Sequence, residues 1–134
     1  MILSFTSDNC MDYILTHIPG FQKSWEEHVL WWGEDQRGLG NDVAAFSRYI
    51  VNLLSSGQDV SWENVCGVIE VLLSRGDQEV RNAMATNCLE NVINRVSDGG
   101  IDAKPFLARL GKESRKYCIA WDDFTGVRTP GLQE

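Results

Sequence analysis

Between Ser61 and Val96 the apolar positions recur with the period of a helix, twice over, on either side of Gly76. Trp62, Val65, Cys66, Ile69, Leu72 and Leu73 form the first set, at i, i+3, i+4, i+7, i+10 and i+11. Ala85, Cys88, Leu89, Val92, Ile93 and Val96 form the second, with the same period. Side chains spaced this way share one face of an α-helix, and that face must be covered. Two such helices joined by a short break hide their faces by packing antiparallel. This pair is the expected centre of the fold.

The rest of the chain reads in the same way. Ser7 or Asp8 can cap a first helix running to Ile18, with Met11, Ile14, Leu15 and Ile18 as its stripe, and Pro19-Gly20 ends it. A second helix spans Phe21 to Trp32, with Phe21, Trp25, His28 and Trp32 on one face. Gly33 to Gly40 is a polar, glycine-rich loop. Asn41 or Asp42 caps a third helix to Ser56, with Val43, Phe46, Ile50, Leu53 and Leu54 inside. Leu53-Leu54-Ser55-Ser56-Gly57 is echoed 19 residues later by Leu72-Leu73-Ser74-Arg75-Gly76, each ending in a glycine that suits a helix C-terminus. Ser61 and Asp77 cap the two central helices, and Ser97-Asp98-Gly99-Gly100 closes the second. A short helix from Ala103 to Leu110 has Pro105 in its first turn, where proline is tolerated. A last helix from Lys112 to Phe124 buries Tyr117, Cys118, Trp121 and Phe124. The expected fold is all-α: an antiparallel array of six or seven helices in the style of HEAT repeats. Residues 1–126 form one domain, and residues 127–134, with Pro130 and no apolar period, form a loosely held tail.

Charge adds a direction to this picture. The chain of 134 residues carries a net charge of −7. Residues 1–70 hold ten acids (Asp8, Asp12, Glu26, Glu27, Glu34, Asp35, Asp42, Asp59, Glu63 and Glu70) against Lys23, Arg37 and Arg48. Residues 71–134 balance, so the whole excess lies in the first half. Such a field disfavours nucleic acid and anionic lipid and favours a basic partner, although plain solubility explains it too. No apolar run approaches the roughly 18 residues that span a membrane, and the first residues show no export-signal pattern. Cytoplasmic residence is the expectation. The four widely spaced cysteines (Cys10, Cys66, Cys88 and Cys118) then read as buried, reduced thiols.

Candidate chemistry is sparse. Glu26-Glu27-His28 are neighbours in sequence, but adjacent residues on a helix diverge by about 100°, so they do not converge on an ion. His28 shares a face with three aromatics and reads as a packed, hydrogen-bonded histidine. Asp122-Asp123 reads as a solvated helix-end pair. The Gly33 to Gly40 loop has acids where a phosphate loop needs a lysine. No catalytic residue, metal ligand or cofactor site is expected, and the chain does not read as an enzyme. What remains is binding. Trp25 to Asp42 combines tryptophans, the out-of-place Leu30 and the acids Glu26, Glu27, Glu34, Asp35 and Asp42. Tryptophan inside a polar rim is a frequent hot-spot composition. The expected partner surface is Glu26, Glu27, Leu30, Trp31, Glu34, Asp35 and Asp42.

Two runs carry a resemblance. Trp25-Glu26-Glu27-His28, Trp31-Trp32-Gly33-Glu34-Asp35-Gln36-Arg37-Gly38 and Asn41-Asp42-Val43 lie in the first half, and Cys118-Ile119-Ala120-Trp121-Asp122-Asp123-Phe124-Thr125-Gly126 lies near the end. Together the chain resembles a family of small helical bacterial proteins of poorly defined function. Similar small acidic proteins serve as immunity proteins for toxins of the contact-dependent or type VI secreted kind. The resemblance implies a cytoplasmic protein that binds a cognate toxin and blocks its active site or substrate path. A basic nuclease is one such toxin. The alternative is a helical-repeat adaptor or regulatory module with another protein partner.

Overall fold

The computed structural model describes residues 4–133. Seven helices form among them: α1 (Cys10–His17), α2 (Gln22–Trp32), α3 (Gly38–Ser56), α4 (Trp62–Arg75), α5, α6 (Lys104–Leu107) and α7 (Lys112–Thr125). Helix α5 is one continuous run made of Gln78–Ala83, Met84–Glu90 and Asn91–Gly99. A 3₁₀ turn, Pro19–Phe21, leads into α2. The described residues contain no strand, so the fold is all-α as the periodicity predicts. None of these helices is long and apolar enough to cross a membrane.

Helix α5 packs against α3, α4 and α7, and α2 lies on α3. The predicted central pair is therefore the centre of the core. Ile69 and Leu72 of α4 and Met84, Cys88, Leu89 and Val92 of α5 are wholly removed from solvent. Ser61 Oγ accepts the Asn64 N–H at 3.2 Å, and Asp77 Oδ1 accepts the Val80 N–H at 2.9 Å, so both predicted caps are in place.

The middle of α5, Met84–Glu90, is wound as a π-helix. The sequence explains this. The buried residues Val80, Met84, Cys88, Val92 and Val96 follow one another at steps of four, as do Ala85, Leu89 and Ile93. On a straight α-helix a four-residue step overshoots a full turn by about 40°, and the stripe would wander off the core. A segment with i→i+5 bonding takes more residues per turn and brings the stripe back.

Four expectations need correction. The echo ending in Gly57 and Gly76 is not a structural repeat. Gly57 is left-handed, at φ 65°, while Gly76 is extended, at φ −75°. The N-terminal stretch crosses the chain there: Phe5 N–H donates to Arg75 O at 3.2 Å and accepts the Asp77 N–H on its carbonyl at 2.8 Å. A Cβ on Gly76 would collide with Val80 and the Leu72 carbonyl, so glycine serves close packing at this point. Second, α3 starts at Gly38 rather than at Asp42, because Leu39 is buried and draws the end of the polar loop into the helix. Third, Phe124 is 82% exposed and stacks on Trp121 with centroids 5.7 Å apart. Fourth, the tail is pinned. Thr129 and Leu132 are buried, Arg115 Nη1 donates to Leu132 O at 2.8 Å, and the Asp122 carboxylate accepts Thr129 N–H and Oγ1–H at 2.7 and 2.8 Å. Asp122 is thus a buried clamp, and only Asp123 of that pair is solvated.

Candidate functional site

The aromatic face of α2 is real and it is anchored at both ends. Phe21 is fully buried, with its ring 5.4 Å from Phe46 and 5.3 Å from Tyr49 of α3. Two turns on, His28 is buried between Trp25 and Trp32, at ring separations of 5.6 and 6.3 Å. The chain then leaves α2 through Gly33, whose φ of 60° suits glycine, and returns into α3.

That return is held by one carboxylate. His28 Nε2 and Arg37 Nε both donate to Asp42 Oδ1, each at 2.9 Å. The Arg37 guanidinium also lies over the Trp25 ring, 5.4 Å from its centroid. A cation on an indole face and a charge-assisted hydrogen bond are both directional contacts. Together they tie the inner face of α2, the turn and the first turn of α3 into one unit. Asp42, with 9% of its surface exposed, is therefore not an outward acid of the partner surface. It is a buried brace, because the two bases around it replace the water a lone carboxylate would need.

The other six residues of the expected surface are all exposed. Leu30 is 82% exposed, on the side of α2 opposite the aromatic face, and Trp31 is 81% exposed. Glu26 and Glu27 precede them and Glu34 and Asp35 follow in the turn. Glu26 accepts a hydrogen bond from Gln22 Nε2 at 3.0 Å, which leaves its charge facing outward. Trp31 meets Trp32 edge-on at 5.7 Å and, with Trp32, Asn41 and Arg48, lines a cleft of about 340 Å³. An exposed leucine and tryptophan are thus presented at the end of a helix that is braced from its inner face.

The thiols offer no second site. All four cysteines are free and buried. Burial pushes Cys10, Cys66 and Cys118 up to about 12 and Cys88 higher still, so none is a thiolate at neutral pH. Cys66 Sγ–H donates to Phe106 O at 3.3 Å. Among the described residues no three His, Cys, Asp or Glu side chains gather as metal ligands.

Sequence reasoning missed Arg37 and the role of Asp42. The signal was present only in part: a histidine on an aromatic face needs a polar partner, but nothing local says which carboxylate supplies it. Residues 11–126 match the family described as a domain of unknown function, DUF7674, and the chain belongs to that family. No curated protein and no solved structure matches it.

Proposed function

We propose that this member of DUF7674 is a protein-binding protein that presents Leu30 and Trp31, ringed by Glu26, Glu27, Glu34 and Asp35, to a basic partner, and that the partner is a cognate bacterial toxin. The protein would then act in the cytoplasm as an immunity protein, occluding the toxin's active site or substrate path. The observation that carries the reading is the exposure of Leu30 and Trp31, at 82% and 81%, among four solvent-facing acids. Large apolar side chains inside a polar rim have the composition of a binding hot spot. The excess negative charge of the first half supplies attraction for a basic surface, such as the cleft of a nuclease. The Arg37–Asp42–His28 brace supports the reading, because a surface ordered before binding loses less entropy on association.

The test is copurification with the product of the adjacent gene, followed by kinetics. Rim charges act mainly on association, so Glu34→Lys with Asp35→Lys should slow the on-rate, and salt should slow the wild type. Anchors act mainly on dissociation, so Trp31→Ala should raise the off-rate by roughly tenfold or more. A folded charge-reversed variant that still binds and protects cells fully, in low and high salt, overturns this surface. If the neighbouring product does not bind at all, the immunity reading falls and the adaptor reading takes its place.

A further inference from the structure

A second concavity lies beside the first. Between α3 and α5 runs a channel of about 290 Å³ whose walls include Ser47, Arg48, Asn52, Asn91, Asn94 and Arg95. Its lining holds two guanidinium groups and no carboxylate. The ion pairs found among the described residues both end on Asp42, and neither involves Arg48 or Arg95. In a chain of net charge −7, two arginines line one channel that has no acid among its walls. The asparagines add groups that can pair with a peptide backbone. Asn94 uses its Oδ1 to accept Trp121 Nε1–H at 3.0 Å, which leaves its amide N–H groups unengaged. Asn91 donates to Asn87 O at 2.8 Å, which leaves its side-chain oxygen.

Aromatic side chains lie next to two of the lining residues. Arg48 lines both this channel and the cleft of Trp31 and Trp32. Asn94, another lining residue, accepts from Trp121, on which Phe124 stacks. Trp31 and Phe124 are two of the four large apolar side chains exposed among the described residues.

We propose that this channel seats an acidic, extended segment of the protein partner, with its carboxylates on Arg48 and Arg95 and apolar side chains on Trp31 and Phe124. The inference rests on the reading that the protein works by binding another protein. It adds that the partner's charge is not uniform: basic facing the α2 acids, acidic facing the two arginines. Arginine suits the task because its planar fork takes a carboxylate through two parallel hydrogen bonds.

The experiment pans the full-length protein against a displayed library of random twelve-residue peptides. The same selection is run with Arg48→Gln and Arg95→Gln together. Both arginines are exposed, so the variant should fold, and its thermal unfolding checks this. The wild type should select peptides rich in Asp and Glu with apolar residues on either side. Each arginine change should weaken a selected peptide by about tenfold or more, and Phe124→Ala should weaken it as well. Leu30→Ala, which lies outside the channel, should leave it unchanged. Selection without an acidic preference, or the same peptides from the double variant, overturns the proposal. So does a failure to select any peptide, and stabilisation by AMP or inorganic phosphate in that case would mark a small-ligand pocket. None of these outcomes depends on the neighbouring gene, so failure of the toxin reading and failure of the channel are told apart.

Discussion

The α4–α5 interior and the α2–α3 junction are built on opposite principles. No charged residue of α4 or α5 is buried, and their contact rests on Ile69, Leu72, Met84, Leu89 and the thiols of Cys66 and Cys88. At the α2–α3 junction a histidine and an aspartate are buried together, with Arg37 closing the group. Apolar burial is proportional to area and indifferent to direction, so it holds helices together and lets a stretch rewind as π where the stripe requires it. Charge-assisted hydrogen bonds are directional, and they fix how the last turn of α2, which exposes Leu30 and Trp31, sits on α3. The molecule keeps stability in one region and presentation in the other.

The largest test of that contrast lies in the core. Ile69→Ala or Leu89→Ala should each cost about 2 to 5 kcal/mol, because both side chains are fully buried and leave a cavity. Urea denaturation reads the loss. Values near zero would remove the central pair from the core. Next in size is the brace. Asp42→Ala strands His28 and Arg37 and should cost about 2 to 3 kcal/mol. It should also weaken partner binding, although Asp42 touches no partner in this reading. Unchanged binding by a folded Asp42→Ala protein would break the link between brace and presentation.

A smaller effect sharpens the contrast at the edge of the core. Glu70 of α4 accepts hydrogen bonds from Glu113 N–H, Ser114 N–H and Ser114 Oγ–H at 2.9, 3.0 and 2.8 Å, and so caps α7. Partial burial raises its pKa, but these bonds and one from Ser74 outweigh it and hold the carboxyl below its ordinary value. A depressed carboxyl stabilises the fold above the unfolded-state pKa, and that contribution disappears as pH falls through the folded-state value. Glu70→Gln should therefore destabilise the protein slightly at pH 7, with the difference fading in acid as pH falls through the depressed folded-state value. A difference independent of pH would show that the charge plays no part. The smallest effects belong to the presented residues. Leu30→Ala and Trp31→Ala should shift stability by no more than about 0.5 kcal/mol, since both side chains stand in solvent. A large loss by thermal unfolding would place them in the packing rather than at an interface.

The sequence by itself determined the helices and the buried stripes of the central pair. A helical period is local geometry that each apolar residue follows without knowing its partner, and even the π-wound middle of α5 answers to the four-residue steps of its own stripe. Ser61 and Asp77 were legible as caps for the same reason, since each bonds an N–H only three residues on. The acids of the exposed turn and the misplaced Leu30 were also on the surface of the sequence. Only the tertiary structure decided which polar residues leave water. Asp42 and Asp122 look like any other surface acids until His28 and Arg37 surround one, and Thr129 the other. The channel between α3 and α5 is of the same kind, because Arg48 and Arg95 are 47 residues apart and meet only when the helices pack. Apolar burial follows from each residue's own chemistry, whereas a buried charge or a shared cleft depends on partners that only folding brings within reach.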